Sequence, residues 1–228
     1  MKVEVMHDAF EKNRAVADQT RALLNGHGVR AFNLMGAPGC GKTALLEAVL
    51  PELLKRHGCA VLEGDPATTL DAERIAAVGV PVMQLVTDGC CHLEPNFVRN
   101  ALQRLDLSGV RLLFIENVGN LVCPANFDIG EHHRLVVLSV TEGTDKAAKY
   151  PGMFSTADAV VISKTDLLPY CDFDPAAATR FIRRANQRAA VLEVSARTRR
   201  GMGALVEWIE GQLAPPPGQG PAPASAGR

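Results

Sequence analysis

The stretch GAPGCGKT, residues 36–43, constrains this chain more than any other. It follows a short apolar run (31–35) and opens a helical pattern (42–56), the strand–loop–helix context that a G-x-x-x-x-G-K-[ST] loop requires. Gly36 and Gly41 let the backbone curl so that its N–H groups point inward, and the amides of Gly39, Cys40 and Ala44 lie along the same curl, placed to wrap phosphate oxygens. The helix N-terminus adds partial positive charge. Lys42 is expected to neutralise the β- and γ-phosphates, and the Thr43 hydroxyl to bind Mg²⁺. The Cys40 side chain occupies a variable position of the motif and reads as a small residue tolerated there.

Around this loop, short apolar runs alternate with longer helix-like segments. Candidate strands are 31–35, 59–63, 80–85, 111–115, 135–140, 157–162 and 190–194; helical candidates are 8–25, 42–56, 69–78, 93–105, 175–187 and 203–213. Runs such as RLLFIEN and RLVVLSV are apolar on both alternating faces, as parallel strands covered by helices on both sides must be. The pattern predicts an α/β fold of the P-loop NTPase type: a doubly wound, mostly parallel sheet of about seven strands. It divides the chain into an N-terminal helical segment (1–28), a P-loop domain (29–214) and a Pro/Gly/Ala tail (215–228) expected to be disordered.

Composition excludes several classes. The near-neutral balance of 24 basic and 25 acidic residues argues against a nucleic-acid binder, which would need a basic face. The N-terminal residues have no signal-peptide pattern, and no apolar stretch approaches the ~20 residues of a membrane span. The six cysteines are scattered rather than spaced as a disulfide framework, so reduced thiols and a cytoplasmic location are expected.

Further motifs assign the nucleotide. RLLFIENVG places Glu116 and Gly119 where many GTPases carry Asp-x-x-Gly: Gly119 can offer an N–H to the γ-phosphate, and Glu116 can hold Mg²⁺ through water. In EGDPATTLDAER, Asp65 is the metal- or water-facing carboxylate; Thr68, Thr69 and Asp71 read equally as a helix N-cap cluster or a switch. SKTD (163–166) resembles the Asn-Lys-x-Asp signature. The Asp166 carboxylate can accept from guanine N1–H and the 2-amino group, neither of which adenine offers, and Lys164 is in place. Ser163 replaces the usual Asn and loses an amide that would brace the loop. Ser195-Ala196-Arg197 follows the last strand where a Ser-Ala-Lys loop would back the base. Together these favour GTP over ATP. Lys42, Asp65 and Glu116 are the expected catalytic set. Hydrolysis is expected to be slow, because the switch regions show no evident glutamine or arginine finger.

TDGCCHLEPNFV (87–98) carries Cys90, Cys91 and His92, and Cys123 stands four residues past Gly119. These loops follow the run 80–85 and what reads as the neighbouring strand, 111–115, so both leave the carboxyl edge of a parallel sheet, where the nucleotide also binds. Thiolate and imidazole suit Ni²⁺ or Zn²⁺, yet free cysteines are commonly buried small hydrophobes, and spacing alone leaves both readings open. One chain offers at most four such ligands, which leaves room for a site shared across a two-fold interface. His132 and His133, adjacent in a charged loop, read as solvated; Lys146 and Lys149 read as a solvated basic turn or as reaching a phosphate or partner subunit.

The ordered set GAPGCGKTALLE, EGDPATTLDAERI, TDGCCHLEPNFV, IENVGNLVCPANFDIGE, VTEGTDKAAKYPGMF and SKTDLLP resembles the HypB family, GTPases that help insert nickel during [NiFe]-hydrogenase maturation, over about residues 10–210. The resemblance implies that Cys91, His92 and Cys123 bind nickel, with zinc as an alternative occupant, and that Cys90 is an extra thiol. It implies GTP/GDP and Mg²⁺ as ligands and a GTP-dependent homodimer. The implied partners are a nickel-delivery or hydrogenase-maturation protein and the hydrogenase large subunit, with neither nucleic acid nor membrane. The cysteine- or histidine-rich N-terminal stretch of some members is missing. A urease-type nickel GTPase, or a nickel/zinc carrier with vestigial GTPase activity, is the alternative.

Overall fold

The computed structural model describes residues 8–65, 67–87 and 89–213; the expected disordered tail from Pro215 lies outside them. Seven strands form one sheet: β1 (Arg30–Gly36), β2 (Gly58–Asp65), β3 (Val82–Val86), β4 (Val110–Glu116), β5 (His133–Ser139), β6 (Ala159–Ser163) and β7 (Ala190–Glu193). They lie in the order β3-β2-β4-β1-β5-β6-β7, with every adjacent pair parallel. Such pairs require crossover connections. The helices are α1 (Asp8–Gly26), α2 (Lys42–Leu53), α3 (Leu70–Ala76), α4 (Pro95–Leu102), α5 (Lys146–Lys149), α6 (Pro151–Ser155), α7 (Pro175–Ala185) and α8 (Met202–Gly211).

Alternation along β1 shows how the layers arise. Phe32 and Leu34 point to one face, where they join Leu46 and Leu50 of α2 and Leu205 and Ile209 of α8. Ala31 points to the other, packing with Leu24 of α1 and Val98 and Leu102 of α4, while Met35 joins Phe154 of α6 and Ile182 of α7. Central strands are therefore apolar on both faces, as their sequence requires.

Three expectations change. β3 and β4 are not neighbours: β2 lies between them. α4 spans only Pro95–Leu102 instead of 93–105, with Pro95 in its first turn, where a proline's fixed φ favours helix initiation. Neither His132 nor His133 is a solvated loop histidine: His133 starts β5 and stacks on Phe32 at 5.2 Å between centroids, and His132 is a structural tie. Its Nδ1 accepts from the Ala31 N–H at 3.0 Å and its Nε2 meets Asn25 Oδ1 at 3.0 Å, tying the end of α1 to β5. Burial, with Arg30, His133 and Arg21 nearby, pushes its pKa down to about 4.

Candidate nucleotide and metal site

The loop after β1 and the start of α2 form the cradle that the sequence assigns to phosphate. Gly39 and Gly41 hold φ of 71° and 99°, the left-handed region open to glycine. Lys42 and Thr43 are buried at its mouth. The Thr43 hydroxyl donates to Glu116 Oε1 at 2.9 Å, and Glu116 Oε2 is buried without a partner. Burial raises the Glu116 pKa to about 7 against the opposing pull of Lys42 and Thr43. A hydroxyl beside a carboxylate with a spare oxygen is a donor set suited to a hard divalent cation.

A cavity of about 260 Å³ joins Lys42, Asp65, Glu116 and Gly119, and also takes in Glu63 and Asp71. Oxygens of Glu63, Asp65 and Asp71 lie within 4.8 Å of one another. Asp65 Oδ1 accepts from the Ala67 and Thr68 amides at 2.8 and 2.6 Å. Burial works against its charge, but these bonds prevail and hold its carboxyl below the usual range. Thr69 takes the N-cap position of α3, yet its hydroxyl donates to the Glu73 carboxylate at 2.8 Å instead of capping the backbone. Gly119 packs against Pro38 so closely that a Cβ would stand 2.8 Å from Pro38 Cα. This cavity is thus bounded by the loops after β1, β2 and β4.

Next to the cradle, a cavity of about 350 Å³ is lined by Gly41, Ala44, Asp166, Leu167, Val194 and Ala196, among others. The Ser195 hydroxyl donates to Asp166 Oδ1 at 2.6 Å, leaving Oδ2 free for a ligand. Lys164, in the left-handed conformation (φ 58°), lays its stem over Gly41 and donates from Nζ to the Gly39 carbonyl at 2.6 Å. Ser163 keeps the brace expected to be lost: its hydroxyl donates to the Cys40 carbonyl at 2.7 Å in a buried contact. The Cys40 thiol itself turns into the core beside Gly36, where burial pushes its pKa up to about 11, so this residue meets the nucleotide edge through its backbone.

On the same edge, Cys91 Sγ lies 2.9 Å from Cys123 Sγ and 3.7 Å from His92 Nδ1. The ligand atoms of Cys91, His92 and Cys123 all fall within 4.8 Å of one another. The Cys123 thiol is held above its ordinary pKa by the hydrogen bond it shares with Cys91, then by burial. Phe127 stacks on the His92 ring at 3.9 Å between centroids. Cys90 is exposed and falls outside the cluster; its carbonyl is capped by the Thr87 hydroxyl at 2.9 Å. The geometry therefore selects the second of the two adjacent cysteines.

A glycine-rich loop, a cavity with one braced aspartate and two thiols beside an imidazole share one sheet edge. The family model for the CobW/HypB/UreG nucleotide-binding domain matches residues 30–193. A hydrogenase maturation factor HypB of Azotobacter vinelandii is 48% identical over 92% of this chain and 69% of its own length. The chain belongs to the HypB family. A probable HypB of Methanocaldococcus jannaschii is 43% identical over 91% of this chain and 94% of that protein. The structure of Helicobacter pylori HypB in complex with nickel superposes with a TM-score of 0.85 at 34% identity, covering 89% of this chain and 95% of that one.

Within this HypB-family site, sequence reasoning overlooked Glu63, Leu167, Asn117 and Asn120. Glu63 is buried on β2 with Oε2 unpartnered, and burial followed by repulsion from Glu116 raises its pKa to about 8. Its signal was an acid within an otherwise apolar strand run, CAVLEG, which no solvent-facing strand position explains.

Proposed function

We propose that this HypB-family chain is a GTP-hydrolysing metallochaperone that couples its nucleotide state to nickel delivery during [NiFe]-hydrogenase maturation. The observation that carries this reading is the placement of Cys123 four residues beyond Gly119, with Cys91 at 2.9 Å on the adjoining loop. When GTP draws Gly119 toward its γ-phosphate, Cys123 moves with it, so metal geometry and nucleotide state share one bistable element. Nickel is cargo, held by Cys91, His92 and Cys123 in one state and released to the hydrogenase-maturation machinery in the other. Zinc is an alternative occupant, because the same ligands take both ions.

Lys42 and the loop amides hold the phosphates, and Asp166 with Ser195 selects guanine. Thr43, Glu116 and Asp65 would hold Mg²⁺, which supplies charge neutralisation at the β- and γ-oxygens. Hydrolysis is slow on this reading, since the described residues place neither a glutamine nor an arginine in the 260 Å³ cavity. Three ligands from one chain favour completion across a nucleotide-dependent homodimer. The expected partners are a nickel-delivery protein and the hydrogenase large subunit, in the cytoplasm. A Helicobacter hepaticus relative called hydrogenase/urease maturation factor HypB, 43% identical over 75% of this chain, favours a second reading in which urease is also served.

Titration of Ni²⁺ into the protein with GDP and with a non-hydrolysable GTP analogue tests the coupling: equal affinities in both states would sink it. Lys42→Ala separates this reading from that of a plain carrier, because only a carrier would still support nickel loading of hydrogenase without nucleotide binding.

A further inference from the structure

Chain connectivity links only Cys123 to the γ-phosphate sensor. Cys91 and His92 lie on a separate loop after β3, and two asparagines that flank Gly119 reach across to it. Asn117, 1% exposed, accepts at Oδ1 from the Leu93 N–H (3.1 Å) and the Val118 N–H (3.0 Å), and its Nδ2 donates to the buried Asn33 side chain at 3.2 Å. Asn120 donates its backbone N–H to the carbonyl of Gly36, the first glycine of the phosphate loop, at 2.8 Å. Its Nδ2 donates to the Cys91 carbonyl at 3.3 Å, and its Oδ1 accepts from the amides of Val122 (2.7 Å) and Cys123 (3.4 Å). His92 is thus bracketed. The residue before it is tied to Asn120 and the residue after it to Asn117, with Gly119 between the two asparagines.

An amide side chain suits both posts. Asn120 must donate to one loop while accepting from the other, which a carboxylate or a hydroxyl cannot match with the same reach. Beneath them the network continues from Asn33 Nδ2 to Glu131 Oε1 (3.3 Å); Glu131 accepts from Arg134 Nε (2.6 Å), and Arg134 Nη2 donates to the carbonyl of Phe127, the ring stacked on His92. Asn33, Asn117 and Glu131 are all buried, so this base is rigid and fully satisfied in a low-dielectric setting.

We propose that Asn117 and Asn120 are positioning residues that transmit movement of Gly119 to all three metal ligands together, making nickel affinity depend on the nucleotide through side-chain hydrogen bonds as well as through the chain. This coupling presupposes the nickel-GTPase reading above and adds the residues that perform it. In contrast to the covalent link alone, it moves the Cys91–His92 loop and Cys123 as one unit.

The test is the ratio of Ni²⁺ dissociation constants, measured against a competing chelator with Mg²⁺–GDP and with Mg²⁺ plus a non-hydrolysable GTP analogue. The wild-type ratio is expected to be about fivefold or more. Asn120→Ala should bring it to within about twofold of one. Asn120→Asp retains the acceptors for Val122 and Cys123 but has no donor for the Cys91 carbonyl, and should also lower it by about threefold. A protein with a merely structural asparagine would lose affinity equally in both states and keep its ratio. A wild-type ratio in Asn120→Ala overturns the proposal. Because Asn117 is buried, its arm is read in the intact protein by amide hydrogen exchange: Leu93 and Val118 should change protection together between the two nucleotide states, and a change at Val118 alone removes that arm. Equal nickel affinities in the wild type would instead remove the nickel-GTPase reading itself.

Discussion

Ser163 stands where GTPases usually carry asparagine, and its hydroxyl braces the phosphate loop through the Cys40 carbonyl. Ser163→Ala leaves that buried carbonyl unpaired, which costs about 1–2 kcal/mol of stability. GDP binding should weaken several-fold, as calorimetric titration would show; unchanged affinity would mean the brace is idle. Asp166 depends in turn on Ser195. Asp166→Ala should weaken GTP by about a hundredfold and abolish preference for GTP over inosine triphosphate, which lacks the 2-amino group. At the proposed metal site the Cys91 thiol donates to Cys123, so an ion must displace protons before two thiolates can bind it. Because Cys123 is shifted upward, protons compete across the whole neutral range. Nickel affinity should therefore fall by about tenfold per pH unit for each proton released as pH drops from 8 to 6, and proton release on titration in weak buffer would count them.

At the scale of elements, α1 is tied to the domain by polar contacts as well as by its buried face. Arg21 grips Asp128 with two bonds of 2.6 and 2.8 Å, and Asn25 receives Arg30 Nη1 at 2.9 Å and His132 Nε2 at 3.0 Å. Leu24 adds a fully buried anchor. His132 must stay neutral for Nδ1 to accept from Ala31, and its folded pKa of about 4 lies below the ordinary value of 6.5. Its contribution is present above pH 6.5 and is lost as pH falls through 4. Thermal melts should show a decline in stability over that window of about 1 kcal/mol, discounted for partial exposure. Glutamine at this position, uncharged at every pH, should flatten it; an unchanged slope in His132→Gln would assign the decline elsewhere.

For the molecule as a whole, every helix among α1, α2, α4, α6, α7 and α8 contributes to a cluster that ends on the one seven-stranded sheet. Unfolding should therefore follow a single transition, coincident by far-UV circular dichroism and Trp208 fluorescence. Mg²⁺–GDP at a hundred times its dissociation constant adds about 2.7 kcal/mol. For a chain of this length that raises the midpoint by about 5–10 °C in the same single step. Two transitions, with only one shifted, would divide the chain into separate units. None of the described helices is long and apolar enough to cross a membrane.

How much of this was legible in the sequence follows from the range over which each signal acts. The phosphate loop, the buried parallel strands and the Asp166 and Ser195 positions are set by local demands: glycine where the backbone curls, apolar side chains on both faces, a carboxylate at a strand's end. Those demands are written within a few residues, and the sequence alone determined them. Cys91 meeting Cys123 across 32 residues, Ser163 reaching Cys40 across 123, and the two asparagines bracketing His92 were decided only by the tertiary structure. Each depends on the strand order: β4 between β1 and β2 brings its following loop, with Asn117, Asn120 and Cys123, beside the phosphate loop, and β5 and β6 on the other side of β1 bring Ser163 to Cys40. Hydrogen bonds and metal ligation need placement to a few tenths of an ångström, and only packing of the finished sheet supplies it; residue spacing could not choose Cys91 over Cys90.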